Sequence, residues 1–401
     1  MQKLGCQTVK FDNKLSILET ASIVGPKESD GPMAKYFDKC LEDEFWGEKT
    51  WEKAESKMIK EAVNSSIIKS KITTNEIDYC FAGDLLNQCI SSSFGLRDLA
   101  VPYFGIFGAC STFVEALSLA SVFIDGGAAS NVICAVSSHF CSAEKQFRFP
   151  LELGNQRPPT SQWTVTGSGS AIVSKDGNGP YITHITTGKI IDMGIKDANN
   201  MGAAMAPAFV DTLITHFKDT GRKPSYYDGI FSGDLGYIGK EIATELCQTK
   251  GYNIKNNYND CGVLMFDKRK QDTHSGGSGC ACCATIFSGY LFNQLKQRKL
   301  NKILLIATGA LTNSTTAQQG ETIPRNCSCN INRKFIRRFF MQDFLSNLDP
   351  MQFIRCFVIG GLICIIGQIL IDKTKLTPAR ILVIFVSTGA ILRRSSEFIS
   401  I

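Results

Sequence analysis

Phe107-Gly108-Ala109-Cys110-Ser111-Thr112, continued by the apolar-periodic run 113–124 and closed by Asp125-Gly126-Gly127, is the stretch around which the rest of the chain can be placed. A thiol that follows Gly-Ala where an extended apolar segment turns into a helix sits near free backbone N–H groups and the positive helix end. Both favour a thiolate, or an anion bound in its place. The same spacing fits a small buried cysteine in a tight strand-to-helix turn, because free cysteine is among the most buried residue types.

Working outward, Ile77–Ala82 reads as a short apolar strand ending at Gly83-Asp84-Leu85, residues 92–99 as a helix and Val101–Phe107 as a strand. After the Cys110 helix, Asn131–Val136 is the next strand, closing at Ser137-Ser138-His139. Upstream, Trp51, Ala54, Met58, Ile59, Ala62 and Val63 recur at helical spacing, so 51–70 is expected to be a helix.

The second half of the chain repeats this order. Asp228-Gly229-Ile230-Phe231-Ser232-Gly233-Asp234-Leu235 echoes Asp78-Tyr79-Cys80-Phe81-Ala82-Gly83-Asp84-Leu85, with the same Asp, Phe and Gly-Asp-Leu at the same offsets. Gly276-Gly277-Ser278-Gly279-Cys280 then opens an apolar helix through Leu295, and Lys302–Thr308 follows as a strand. A repeat this long implies two similar α/β halves about a pseudo-twofold axis, with mixed sheets covered by helices. If the halves face each other, the Cys110 turn and the 276–280 turn converge on one pocket. The expected units are 1–178, 179–324, a junction 325–350 and a tail 351–401.

Composition narrows the function. With 401 residues and 44% hydrophobic content the chain can bury a large core. Its net charge of +6 is misleading, because residues 325–401 alone carry +7 and residues 1–324 sum to −1. A neutral body offers no basic field for nucleic acid. The 16 cysteines lie in a chain whose start shows no apolar secretory segment, so reduced thiols are expected rather than disulfides.

From Arg325 the texture changes to basic and irregular. Residues 351–371 then interrupt their apolar character only at Gln352, Arg355 and Gln368, about the length of a bilayer span, and are expected to form a membrane helix. The shorter run 381–392 reads as a core helix or an incomplete span.

Any Cys-His chemistry must draw on the four histidines at 139, 184, 216 and 274. His274 precedes the second Gly-rich turn and is the expected partner of Cys110. His139 closes the strand after the Cys110 helix, His216 is expected on a helix surface, and His184 carries no signal. The Cys280-Ala281-Cys282-Cys283 segment and Cys327-Ser328-Cys329 are read as packing residues in a small-residue turn rather than as a metal site, and no metal or cofactor is expected. Arg148 and Arg157, in an irregular insertion, have the fork geometry to hold a planar dicarboxylate, or form an ordinary solvated loop.

Gly108-Ala109-Cys110-Ser111-Thr112 together with the duplicated half resembles the thiolase and ketoacyl synthase superfamily, whose nucleophilic cysteine opens a buried helix. The strings 82–88, Glu144-Lys145-Gln146-Phe147-Arg148, Trp163-Thr164-Val165-Thr166-Gly167-Ser168-Gly169 and Thr273-His274-Ser275-Gly276-Gly277-Ser278-Gly279-Cys280 resemble the stage V sporulation protein AD family over about residues 3–324. The tail from about Phe353 is similar to the start of stage V sporulation protein AE, which suggests a frameshift or gene fusion at the junction.

The resemblance implies a layered α-β-α-β-α fold and a homodimer. It also implies binding of dipicolinic acid and its uptake into the developing spore, beside membrane proteins of the same operon at the spore inner membrane. It places Cys110, Ser111, His139, Arg148, Gly277 and Ser278 as candidate ligand-binding residues. The alternative is an acyltransferase or condensing enzyme with Cys110 as nucleophile and His274 assisting. Thr273-His274-Ser275 departs from the superfamily's Gly-His-Pro signature, which favours binding over catalysis.

Overall fold

The repeat in the sequence is a repeat of topology. The first half supplies β1 (Thr8–Val24), β2 (Tyr79–Gly83), β3 (Tyr103–Gly105), β4 (Asn131–Ser138) and β5 (Gly167–Ser174). The second supplies β6 (Tyr181–Thr187), β7 (Gly229–Ser232), β8 (Tyr258–Asp260), β9 (Ile303–Ala310) and β10 (Arg325–Cys329). Across the sheet the order is β3-β2-β4-β5-β1-β6-β10-β9-β7-β8, which reads the same from either edge about the antiparallel β1–β6 pair. In each half the strand of the Gly-Asp-Leu repeat, β2 or β7, is parallel to both neighbours. The fifth strand, β5 or β10, is antiparallel to both of its own. Two short strands at 2–4 and 39–40 pair with β1 and complete a 12-stranded sheet among the described residues.

This computed structural model describes residues 1–147, 157–197, 199–310, 315–316, 319–329, 368–369 and 372–373. They fall into two units, Met1–Arg333 and Lys334–Ile401. Strand β10 carries the first unit past Pro324, where the junction was expected to begin, because its backbone fills the ladder between β9 and β6. In the second unit Gln368 Nε2 donates to Asp372 Oδ1 at 2.9 Å. Apart from Gln368 and Ile369, the expected membrane helix 351–371 lies outside the described residues, as does the run 381–392. Among the described residues no helix is long and apolar enough to cross a membrane.

Helix α1 (Trp51–Ser70) has the limits that its periodicity predicts. The Thr50 side chain caps its first turn by accepting from Lys53 N, and Lys71 ends it in a left-handed conformation. Its apolar stripe, including Met58, Ile59 and Val63, packs on β1, β4 and β5. The equivalent α3 (Met201–Thr220) covers β9 and β10. Between these outer layers run α2 (Thr112–Asp125) and α4 (Cys280–Ile286), which share one core with strands of both halves. A helix enclosed in this way must be apolar nearly all round, and every residue of α4 is buried. Small side chains let α4 approach β5 closely: a Cβ on Gly169 would lie 2.6 Å from the Ala284 carbonyl carbon.

Corresponding strands also share a polar device. Asp78 Oδ2 accepts the backbone N–H groups of Ser130 and Asn131, and Asp228 Oδ2 accepts those of Asn301 and Lys302. Each aspartate ties the entry of β2 or β7 to the entry of its parallel neighbour.

Candidate functional site

Cys110 does not stand in the first turn of a regular α-helix. Ala109–Ser111 form a 3-10 turn ahead of α2, and Ala109 sits at φ 51°, a left-handed conformation that costs a non-glycine residue about 1 kcal/mol or more. The opposing turn is equally unusual, with His274 at φ 50°, Gly276 at 105° and Gly279 at 97°. A side chain at Gly279 would meet Ser138 Oγ at 3.0 Å as well as the φ penalty.

These two turns meet. Cys110 Sγ lies 3.9 Å from Ser278 Oγ. Ser278 Oγ and Gly279 N both donate to Asp234 Oδ2 at 3.0 Å. Asp234 Oδ1 is buried with no hydrogen-bond partner among the described residues, and the charge of this carboxyl group reaches the Cys110 thiol. Burial pushes Asp234 up to about 7, and the neighbouring Asp260 adds to the effect. Burial, followed by the charge of Asp234, pushes the Cys110 thiol well above its ordinary range. Of the two readings left open by the local sequence, burial together with the nearby carboxylate favours the protonated, buried cysteine over the thiolate.

Behind Asp234, Asp260 Oδ2 accepts from Ser232 Oγ and Leu235 N, and its Oδ1 from Gly236 N and Val263 N. Gln162 Nε2 donates to the Asp234 and Gly277 carbonyls at 2.6 and 2.9 Å, so the second turn is fixed from both sides. Gly277 itself pairs with Trp163 in a two-stranded ladder. The Trp163 ring stacks on Phe140 with centroids 3.6 Å apart, and carries Lys27 Nζ at 3.8 Å and the Arg157 guanidinium at 4.8 Å from its centroid. Burial and the Arg157 charge hold the Lys27 ammonium below its usual value.

The remaining candidates point elsewhere. His139 is buried, with Nδ1 accepting from Cys141 N, so its Nε2–H donates to the Glu44 carbonyl at 2.8 Å. Ser111 Oγ is 2.6 Å from the Gly108 carbonyl and 2.8 Å from Glu115 Oε1. The His274 ring faces Asp272 Oδ1 at 3.5 Å. Arg148 lies outside the described residues. His216, expected at a surface, is buried, because its ring bonds Thr186 and Tyr227. Cys280 donates to the Ser137 carbonyl at 2.9 Å. Among the described residues no group of three His, Cys, Asp or Glu side chains is placed to hold a metal ion. Asp234 is the residue that sequence reasoning passed over, although the Gly-Asp-Leu repeat had marked its position.

Two α/β halves about a pseudo-dyad, inner helices opened by paired turns, and a cysteine in the first turn define a thiolase-like protein. The solved structures agree on the fold. A 3-oxoacyl-(acyl carrier protein) synthase III from Xanthomonas oryzae superposes with a TM-score of 0.51 at 13% identity, covering 80% of this chain and 100% of its own. Cerulenin-bound OleA from Xanthomonas campestris gives 0.52 at 12% identity, covering 80% and 100%. Residues 5–329 match the stage V sporulation protein AD family model, and the chain belongs to that family of sporulation proteins. Stage V sporulation protein AD of Bacillus subtilis (strain 168) is 42% identical over 324 residues, 81% of this chain and 96% of the relative. Residues 352–398 match the model described as SpoVAC/SpoVAEB sporulation membrane protein, in keeping with the resemblance of the tail to a sporulation membrane protein.

Proposed function

We propose that this chain binds dipicolinic acid beside the Cys110 and Ser278 turns and supports its uptake into the developing spore. The observation that carries the reading is the pair of cations on Trp163. A planar aromatic diacid calls for an aromatic wall and cationic groups for its carboxylates, and Phe140, Trp163, Lys27 and Arg157 supply both next to the Gly277 ladder. Burial, with the charge of Arg157 second, depresses the Lys27 ammonium, and an anion beside it would favour its charged form. A neutral thiol at Cys110 and an Asp234 carboxyl at about 7 add groups that can donate to a carboxylate.

A second reading, acyl transfer with Cys110 as nucleophile, is favoured by the same Asp234. A carboxylate near 7 against the thiol has the basicity of a general base at neutral pH, a role in which it would replace the expected His274. Calorimetry with dipicolinate and intact-mass analysis after incubation with acyl-CoA separate the two. Dipicolinate binding without an adduct is expected; an adduct on Cys110 without dipicolinate binding would overturn the first reading.

In the same reading the chain is a homodimer that works beside membrane proteins of its operon, with the tail at the spore inner membrane. Support comes from the edge strand β3, where Tyr103 and Phe104 are exposed with Phe107 and Phe94. Phe104→Lys should convert the dimer to monomer in sedimentation velocity, and a monomeric parent would remove the idea. A fusion or frameshift junction would fall between the two family matches, which end at 329 and begin at 352, and resequencing of the locus tests it.

A further inference from the structure

A cavity of about 120 Å³ lies between β6, the end of α3 with the residues that follow it, and the inner helices, and it shares no lining residue with the Cys110 site. Its walls are mostly apolar, with Val114 and Leu117 from α2, Phe287 just beyond α4, and Leu305 from β9. Its polar side is built from His184, His216, Arg222 and Tyr227.

Arg222, which can only donate, anchors the hydrogen bonds of that polar side. Its Nη1 donates to Tyr227 OH at 3.2 Å, and Tyr227 OH bonds His216 Nε2 at 2.5 Å. His216 Nδ1 bonds Thr186 Oγ1 at 2.7 Å, which meets Thr8 Oγ1 at 2.8 Å. Arg222 Nη2 donates to His184 Nε2 at 3.2 Å. Burial and the Arg222 charge hold His184 at about 4 and His216 at about 3, so both rings are neutral at physiological pH. The guanidinium is therefore bonded to neutral groups, and the charge of Lys10 also reaches His184. Asp219, whose charge reaches His216, is engaged by the backbone N–H groups of Cys6, Gln7 and Thr8.

A half-buried guanidinium with neutral partners at one side of a partly apolar, open-mouthed cavity favours an anion with an apolar body. The volume sets the size, since an apolar cavity of roughly 150 Å³ takes benzene. We propose that this cavity binds a small monocarboxylate with a compact apolar body, of the benzoate type, its carboxylate on Arg222 and its ring against Val114, Leu117 and Phe287.

Titration of the full chain with benzoate by calorimetry tests the assignment, with benzyl alcohol as the uncharged analogue of the same body. Benzoate should bind and benzyl alcohol should bind more weakly. Arg222→Met, which keeps the stem but not the charge, should weaken benzoate by about tenfold to a hundredfold. Leu117→Phe, which fills the void, should also weaken benzoate, and neither variant should shift the dipicolinate isotherm of the parent. Thermal melts of both variants report folding independently. Benzoate affinity retained in Arg222→Met, equal binding of the alcohol, or no benzoate binding by the folded parent at millimolar concentrations overturns the proposal.

Discussion

Cys110 Sγ and Ser278 Oγ lie 3.9 Å apart across the pseudo-dyad, and the Asp234 carboxyl group accepts from Ser278 Oγ while its charge reaches the Cys110 thiol. Burial, followed by the charge of Asp234, keeps the thiol protonated, so part of the reactivity of Cys110 should be governed from the other half of the fold. Asp234→Asn preserves an oxygen for Ser278 and Gly279 and removes the charge. Alkylation of Cys110 by iodoacetamide at fixed pH should then accelerate, by about tenfold for each pKa unit recovered. Peptide mapping distinguishes Cys110 from the exposed Cys6 and Cys40. Slower alkylation in the variant would mean that Asp234 acts as a base toward the thiol and would favour acyl transfer.

The same group gives the proposed dipicolinate site a pH dependence. Protonated Asp234 can donate to a ligand carboxylate, whereas ionised Asp234 repels it. Burial holds its titration at about 7, so affinity should fall as pH rises through that value, by up to about tenfold per pH unit beyond it. Asp234→Asn, a fixed neutral donor, should bind with nearly constant affinity over that range. Parallel pH profiles for parent and variant in calorimetry would remove Asp234 from the ligand's surroundings.

The duplicated aspartates offer a test of the repeat as an energetic unit. Asp228 accepts Asn301 N at 2.7 Å and Lys302 N at 3.0 Å, and these backbone bonds hold its carboxyl below the usual range. A depressed carboxylate contributes stability above its unfolded value of 3.8, and that stability is lost as pH falls through the folded value. Asp228→Ala should cost about 1–2 kcal/mol in urea unfolding at neutral pH and much less in strong acid. Asp78→Ala, with the same arrangement in the other half, should cost a similar amount, and the double variant should approach the sum. A neutral Asp228→Ala would show that the tie does not hold the strand entries.

How much of this was legible beforehand depended on whether the deciding contacts are local. Helix α1 was readable to the residue because its cap, Thr50, and its apolar spacing are both contained in the segment. The two halves were readable because Asp78–Leu85 and Asp228–Leu235 repeat their residues. The state of Cys110 was not, because its burial depends on packing between the halves and the carboxylate that adds to it comes from a loop far along the chain. His216 looked like a surface residue for the same reason: its partners Thr186 and Tyr227 belong to other elements. Basic texture suggested that the fold ends at Pro324, yet the strand ladder needs Arg325–Cys329 to connect β9 with β6, and a ladder is satisfied by backbone groups rather than by composition.

Glu28 should leave its mark on the pH dependence of stability. It is buried, with Oε1 accepting from Thr166 N at 3.0 Å and Oε2 without a hydrogen-bond partner among the described residues. Burial raises its carboxyl from 4.5 to about 8. In this window the folded chain keeps a proton that the unfolded chain releases, so its contribution falls as pH rises from 4.5 to about 8. Glu28→Gln keeps an acceptor for Thr166 N and cannot ionise. Between those limits the stability of the parent should decline relative to the variant by an amount on the order of a few kcal/mol. Denaturant unfolding of both proteins across that range measures the difference directly. Parallel curves would mean that Glu28 ionises in the folded protein as easily as in the unfolded chain, and that its buried position is relieved by water or by movement of the short helical turn Pro26–Ser29.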